Sequence, residues 1–178
     1  RGEAHRRHAL LVFDEITAGF RLNTGGAHLT LGVHPDIAVF AKAISNGYPM
    51  AAIIGTGDAM QAAQDTFVSS THWTERLGPA AALATINKHR RVDAGPRLVQ
   101  LGESVQSAWR AAAAATGIAI TIGGGLAPLS RFTFDYPEPG PIRTLFTQLM
   151  LDRGFLAGTA FYAMYAHQHE HVEQYGKA

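Results

Sequence analysis

The 178-residue chain has no cysteine, so disulfides and thiolate metal sites are excluded. It has no excess of either charge. A net charge of +1 gives no footing for nucleic acid or an acidic partner. No apolar run is long enough to cross a membrane, and no signal-peptide core precedes the first apolar segment. The expected location is therefore the cytoplasm. A phosphate loop of the form GxxxxGK[ST] is also missing. Residues 10–15 imitate the apolar run and Asp-Glu of a nucleotide hydrolase, whose aspartate holds magnesium, but that chemistry needs the loop. The glycines at 123–125 lack the strand–GxGxxG–helix setting of a dinucleotide site. There is no internal repeat and no low-complexity tract.

About half of the residues are apolar (47%), and two short apolar runs organise the rest. Residues 9–13 end in Asp14, and residues 37–41 end in Lys42. Runs this short, rich in Val, Ile and Phe and bounded by turn residues, read as buried strands. Without polar alternation they suit a parallel sheet covered on both faces. Ligands of such sheets sit beyond the carboxyl ends of the strands, which puts an acid and an amine at one crevice. Between the runs lies a glycine-rich link with a short helical turn at 27–31. Ser45-Asn46-Gly47-Tyr48-Pro49 is a turn, residues 50–54 are a third apolar run, and Asp58 is placed to cap a short helix over 59–65.

From Leu77 the pattern is helical, with the basic residues 88–91 favouring a C-terminal end. Residues 93–96 break it, and Pro96 suits the first turn of the next helix. Leu98, Leu101, Val105, Ala108 and Trp109 form that helix's apolar stripe, which Gly117 ends. Residues 118–122 and 129–134 alternate as antiparallel strands, and helices follow over 143–152 and 168–175. The class is α/β, with a mostly parallel sheet over residues 1–92 followed by a smaller α+β domain over 93–178. The polar residues 1–8 lead almost at once into the first strand, which points to a sequence that begins inside a larger protein.

A lysine in a dry crevice attacks aldehydes readily as its free amine. A nearby carboxylate holds a heteroaromatic nitrogen protonated and turns the ring into an electron sink. Together they are what a pyridoxal phosphate site requires. The residues Leu-Val-Phe-Asp-Glu-Ile-Thr-Ala-Gly-Phe-Arg, then Pro-Asp-Ile-Ala-Val-Phe-Ala-Lys-Ala-Ile-Ser-Asn-Gly-Tyr-Pro, resemble the signature of the class III pyridoxal-phosphate aminotransferases, of fold type I. The resemblance implies that Asp14 pairs with the pyridine nitrogen, that Lys42 joins the cofactor's aldehyde as an imine and then serves as base and acid, and that Ile16 packs on one ring face. It also implies that residues 1–92, with the helix from Leu77 as a bridge, are the C-terminal part of the cofactor domain.

Ser69-Ser70-Thr71 before Leu77-Gly78-Pro79 is similar to the family's Ser-Thr segment, whose threonine reaches the cofactor phosphate of a second subunit. A homodimer is implied through Thr71. Where the family often has Gly-Gly-Asn-Pro, this chain has His72-Trp73-Thr74-Glu75-Arg76, which would reshape the substrate side. Residues 159–171 hold none of the carboxylate-gripping arginines of ornithine-aminotransferase-like members. They look more like glutamate-1-semialdehyde 2,1-aminomutase, and an α-amino-acid donor would need another cation such as Arg21. The implied activity is transfer of an amino group from a small-molecule donor to a carbonyl acceptor, with intramolecular transfer as the alternative. A catalytically incomplete fragment or interaction module is the alternative of another class. The segments that normally cup the phosphate and stack on the ring are not found, so the isolated chain is expected to bind the cofactor poorly and to expose apolar surface. His167, His169 and His171 do not make a metal site, because His169 points away from the other two on a helix.

Overall fold

A computed structural model describes residues 1–123 and 125–178, so the glycine loop at 123–125 lies partly outside the described residues. The chain divides into two compact units, Arg1–Gly95 and Pro96–Ala178.

The first unit is built on a three-stranded sheet of order β1-β2-β3: β1 (Val12–Asp14), β2 (Ile37–Phe40) and β3 (Ala52–Gly55). β1 and β2 are parallel, with Asp14 opposite Val39. Their link carries the short helix α2 (Ala27–Thr30), where the sequence places a helical turn. The central strand buries Ala38 and Phe40 against Phe20, Ile44 and Ala82, the last from the helix α4 (Leu77–Arg91). Apolar runs without alternation suit parallel strands, as β1 and β2 are, whereas β3 runs antiparallel to β2. The connection decides this. A parallel return needs a crossover, usually helical, and between Phe40 and Ala52 the chain has only a 3₁₀ turn, Lys42–Ile44, and the 45–49 turn. Both outer strands leave apolar side chains in solvent: Val12 is 52% exposed, and Ile53 and Ile54 are each 55% exposed.

Two local details depart from the sequence pattern. The helix α3 (Gly57–Gln61) is capped by Thr56, whose hydroxyl accepts from the Ala59 N–H, and not by Asp58. Asp58 sits instead in the first turn, where a carboxylate favours the helix dipole. The polar residues before the first strand form a further helix, α1 (Gly2–Arg6). So short a helix is marginal by itself, and Asp36 tethers it. The Asp36 carboxylate is buried and meets the Arg1 guanidinium at 2.8 Å and His5 Nε2 at 2.9 Å, while the Leu11 N–H donates to it at 2.8 Å. The Leu11 donor is the largest cause holding the Asp36 carboxyl below its ordinary value, with burial opposing and His5 and Arg1 assisting. A carboxyl depressed in the folded state adds stability that is complete above its unfolded value and is lost as the pH falls through the folded one. Acid unfolding of Asp36→Asn, followed by circular dichroism, should therefore be less steep than wild type below about pH 4. An unchanged slope would show that Asp36 is not linked to folding.

The second unit pairs an antiparallel sheet of order β4-β5-β6 with helices: β4 (Ile120–Ile122), β5 (Leu129–Phe134), β6 (Ala160–Tyr162), and the helices α6 (Pro139–Asp152) and α7 (His169–Lys177). The long helix α5 (Ala94–Thr116) supplies the apolar stripe read from the sequence: Leu98, Leu101, Val105 and Trp109 are buried against Phe132 and Phe134 of β5. β5 alternates as a half-exposed strand does, with Ser130, Phe132 and Phe134 inward. Buried Ser130 is satisfied by Gln106 Nε2 and the Ala127 carbonyl. A Cβ at Gly102 would overlap the Ala127 carbonyl oxygen, so only glycine lets α5 approach this loop. The strand β6 lies in an apolar stretch with no readable period and is identified only by its pairing with β5.

Candidate active site

β1 ends at Asp14, and the side chains of a strand alternate between its faces. Asp14 is exposed and Glu15 is fully buried. The Glu15 N–H bonds the Val39 carbonyl at 2.8 Å, which locks the end of β1 to β2. The Asp14 Oδ1 accepts from the Ile16 N–H at 2.9 Å, an Asx-type turn that starts the loop. Its Oδ2 takes no hydrogen bond among the described residues.

Lys42 follows β2 at the same, carboxyl, end of the parallel pair. Its backbone has φ +49°, in the left-handed region that ordinary side chains avoid. Its side chain is exposed, and Nζ donates to Thr17 Oγ1 at 2.6 Å. No carboxylate pairs with it among the described residues. Strain at a residue that carries a reactive group is a device that functional sites use. Lys42→Gly should be more stable than Lys42→Ala by about 1 kcal/mol, because both remove the amine and only glycine relieves the backbone. Equal denaturation midpoints for the two variants would show that the left-handed backbone costs nothing.

Of the other residues singled out by sequence, Ile16 is half-buried beside Asp14. Thr71 is exposed in the 71–74 turn, and its side chain bonds neither Asp14 nor Lys42 among the described residues. The neighbouring His72 and Glu75 pair at 2.7 Å. Arg21 donates its Nε to the Thr17 carbonyl at 3.3 Å. His167 stacks on Phe161, and its Nδ1 accepts from the Met164 N–H, while His171 Nδ1 accepts from the Gln168 N–H. No set of three potential metal ligands assembles among the described residues.

Sequence reasoning missed four residues around the crevice, Glu15, His28, Thr17 and His89. The buried Glu15 carboxylate accepts from the Ala27 and His28 N–H groups, each at 2.9 Å, and from His28 Nδ1 at 2.8 Å. The His28 ring packs edge-on against Phe13 and Phe40, and so joins both strands near their carboxyl ends. Alternation after an outward Asp14 was the available signal for Glu15. Thr17, the partner of Lys42, carried no signal at all. His89 ties α4 to the same loop. Its Nε2 donates to the Phe20 carbonyl at 3.0 Å, which leaves Nδ1 to accept from the Thr24 hydroxyl at 2.8 Å.

An exposed carboxylate oxygen for a ring nitrogen, and an exposed amine with a single neutral partner, fit pyridoxal phosphate. The fold agrees: it is that of the pyridoxal-phosphate transaminases of fold type I. The solved internal aldimine form of FumI from Sphingopyxis sp. MTA144 superposes with a TM-score of 0.89 at 26% identity, over 99% of this chain and 43% of that one. The chain belongs to the class-III aminotransferases, whose family model matches residues 3–125. It is 46% identical over 84 residues to the 3-aminobutyryl-CoA aminotransferase of Cloacimonas acidaminovorans, covering 47% of this chain and 20% of that protein. It is 35% identical over 143 residues to the glutamate-1-semialdehyde 2,1-aminomutase of Deinococcus deserti, covering 76% of this chain and 32% of that protein. The chain thus spans less than half the length of these relatives. Among the described residues, no helix is long and apolar enough to cross a membrane.

Proposed function

We propose that this chain carries the ring-binding and amine half of a pyridoxal-phosphate site, in a protein that moves an amino group from a small-molecule donor to a carbonyl acceptor. The observation that carries this is the common placement of Asp14 and Lys42 at the carboxyl ends of the paired parallel strands β1 and β2. When bound, pyridoxal phosphate supplies an aldehyde that condenses with amines and a protonated ring that accepts electrons. Asp14 holds that proton on the ring nitrogen through its carboxylate, and Ile16 covers a ring face. Lys42 Nζ would hold the aldehyde end of the group. As a free amine it takes a proton and returns it one position away. Thr71 donates its hydroxyl to the phosphate held by a second copy of the protein, which makes the working form a dimer.

In this reading, residues 1–92 belong to the cofactor domain, residues 93–178 form the small domain, and the protein works in the cytoplasm. The phosphate would be held by segments outside this chain. The exposed Val12, Ile53 and Ile54 offer such segments an apolar surface.

Intramolecular transfer, as in an aminomutase, is the second reading. The match to the Deinococcus deserti aminomutase favours it, as does the lack of arginine over residues 159–171. Product analysis separates the two readings: a transferase needs a separate carbonyl acceptor, and a mutase does not. The test of the proposal itself is optical and chemical. Protein expressed with the relatives' full span should show a pyridoxal absorbance band that borohydride abolishes, leaving a covalent tag on Lys42. A tag on another residue, or no tag, overturns the assignment.

A further inference from the structure

We propose that Thr17 is the positioning residue for Lys42: its hydroxyl is the seat in which the ε-amine rests whenever that amine is free. The inference rests on the function proposed above for Lys42, and the hydrogen bond itself stands apart from it. Three observations converge. First, Lys42 Nζ donates to Thr17 Oγ1 at 2.6 Å, across 25 positions of sequence. Second, Lys42 holds a left-handed backbone at φ +49°. That conformation costs free energy and persists only where its surroundings over-determine it. Third, the loop bearing Thr17 is pinned on several sides. Asp14 Oδ1 caps its start at the Ile16 N–H, the Gly19 N–H returns to the Glu15 carbonyl at 2.8 Å, and Arg21 Nε donates to the Thr17 carbonyl. Buried Glu15 anchors the base of the loop through the Ala27 and His28 N–H groups. Thr17 is therefore a fixed point and Lys42 the long, rotatable partner.

A lysine side chain has several rotatable bonds and loses much entropy when it is placed. A proton carrier that must leave and return gains from having one resting position, because the geometry of proton transfer tolerates little misplacement. A hydroxyl suits this better than a carboxylate. It accepts the N–H without forming an ion pair that would have to be broken at each departure. The amine is thus ordered by a neutral acceptor, on the same loop that presents Asp14.

Side-chain ammonium nitrogens of lysine can be followed by 15N–1H correlation spectroscopy, and the Lys42 signal is the one that Lys42→Arg removes. In the cofactor-free full-span protein, the Lys42 ammonium signal, assigned through Lys42→Arg, should persist near neutral pH, because its hydrogen bond slows exchange with water. Thr17→Val should erase that signal, Thr17→Ser should keep it, and the thermal midpoints of both variants should stay close to wild type. In the loaded protein Thr17→Val should lower kcat on the order of 10-fold with little change in the KM of the amino donor, and Thr17→Ser should restore most of it. A Lys42 signal that survives Thr17→Val overturns the inference, and so does an unchanged kcat once the signal is gone. The underlying function is tested separately: adding pyridoxal phosphate to wild type should remove the Lys42 signal. Persistence there overturns the role of Lys42 and leaves the hydrogen bond standing.

Discussion

Lys42→Ala is expected to abolish borohydride-stable labelling by pyridoxal phosphate and to lower amino transfer by 10³-fold or more, roughly the upper range for loss of a general base together with the covalent attachment it supports. The expectation follows from placement. Lys42 stands at the carboxyl end of β2, exposed, with Thr17 as its hydrogen-bond partner, beside an aspartate at the end of the adjoining parallel strand. Lys42→Arg is the sharper control, since it keeps the positive charge and a long side chain but offers no amine that condenses with an aldehyde. If Lys42 acts only by charge, Lys42→Arg should retain most of the activity of wild type. If it acts as proposed, Lys42→Arg should be as inactive as Lys42→Ala while the circular dichroism of both matches wild type. Label on Lys88 or Lys177 in the wild-type protein would assign the chemistry elsewhere.

The largest expected effect on stability is at Glu15. Its carboxylate is 1% exposed and receives three donors, the Ala27 N–H, the His28 N–H and His28 Nδ1. Glu15→Gln replaces one acceptor oxygen by an NH₂ group, which turns one donor–acceptor contact into a donor–donor clash and leaves His28 without its anionic partner. A loss of about 3 kcal/mol is expected from such a change in a buried pair. Asp14→Asn, one residue earlier but exposed, should cost about 0.5 kcal/mol or less. The contrast between these neighbours is measurable by urea denaturation, and equal losses would show that Glu15 is not the anchor. The damage should also reach function. Glu15 holds the base of the loop that carries Asp14, Ile16 and Thr17, so the variant should bind cofactor less well even at temperatures where it remains folded.

Much of this was legible before folding, for identifiable reasons. The strands at 12–14 and 37–40 and the stripe Leu98, Leu101, Val105 and Trp109 announce themselves because burial selects side chains with a period, and that period is local. The helix caps were harder. Thr56 and Asp58 are both good N-cap residues two positions apart, and the choice between them depends on where the preceding strand releases the chain. The short strand β6 has no period of its own and exists because β5 presents an edge to it. The direction of β3 followed from the length and shape of a link whose residues say only that it turns.

The site divides in the same way. Sequence alone supplied the candidate acid and amine, their order and their spacing, because each stands at the end of a short apolar run that reads as a strand, and strands deliver their last residues to a sheet's rim. Tertiary structure decided what those groups touch. That Asp14 faces out while Glu15 faces in, that Glu15 closes on α2 and His28, and that Lys42 folds back onto Thr17 are all consequences of contacts between residues far apart in the chain. Such contacts leave no periodic trace, since hydrogen bonding selects for distance and direction in space and not for spacing along the sequence.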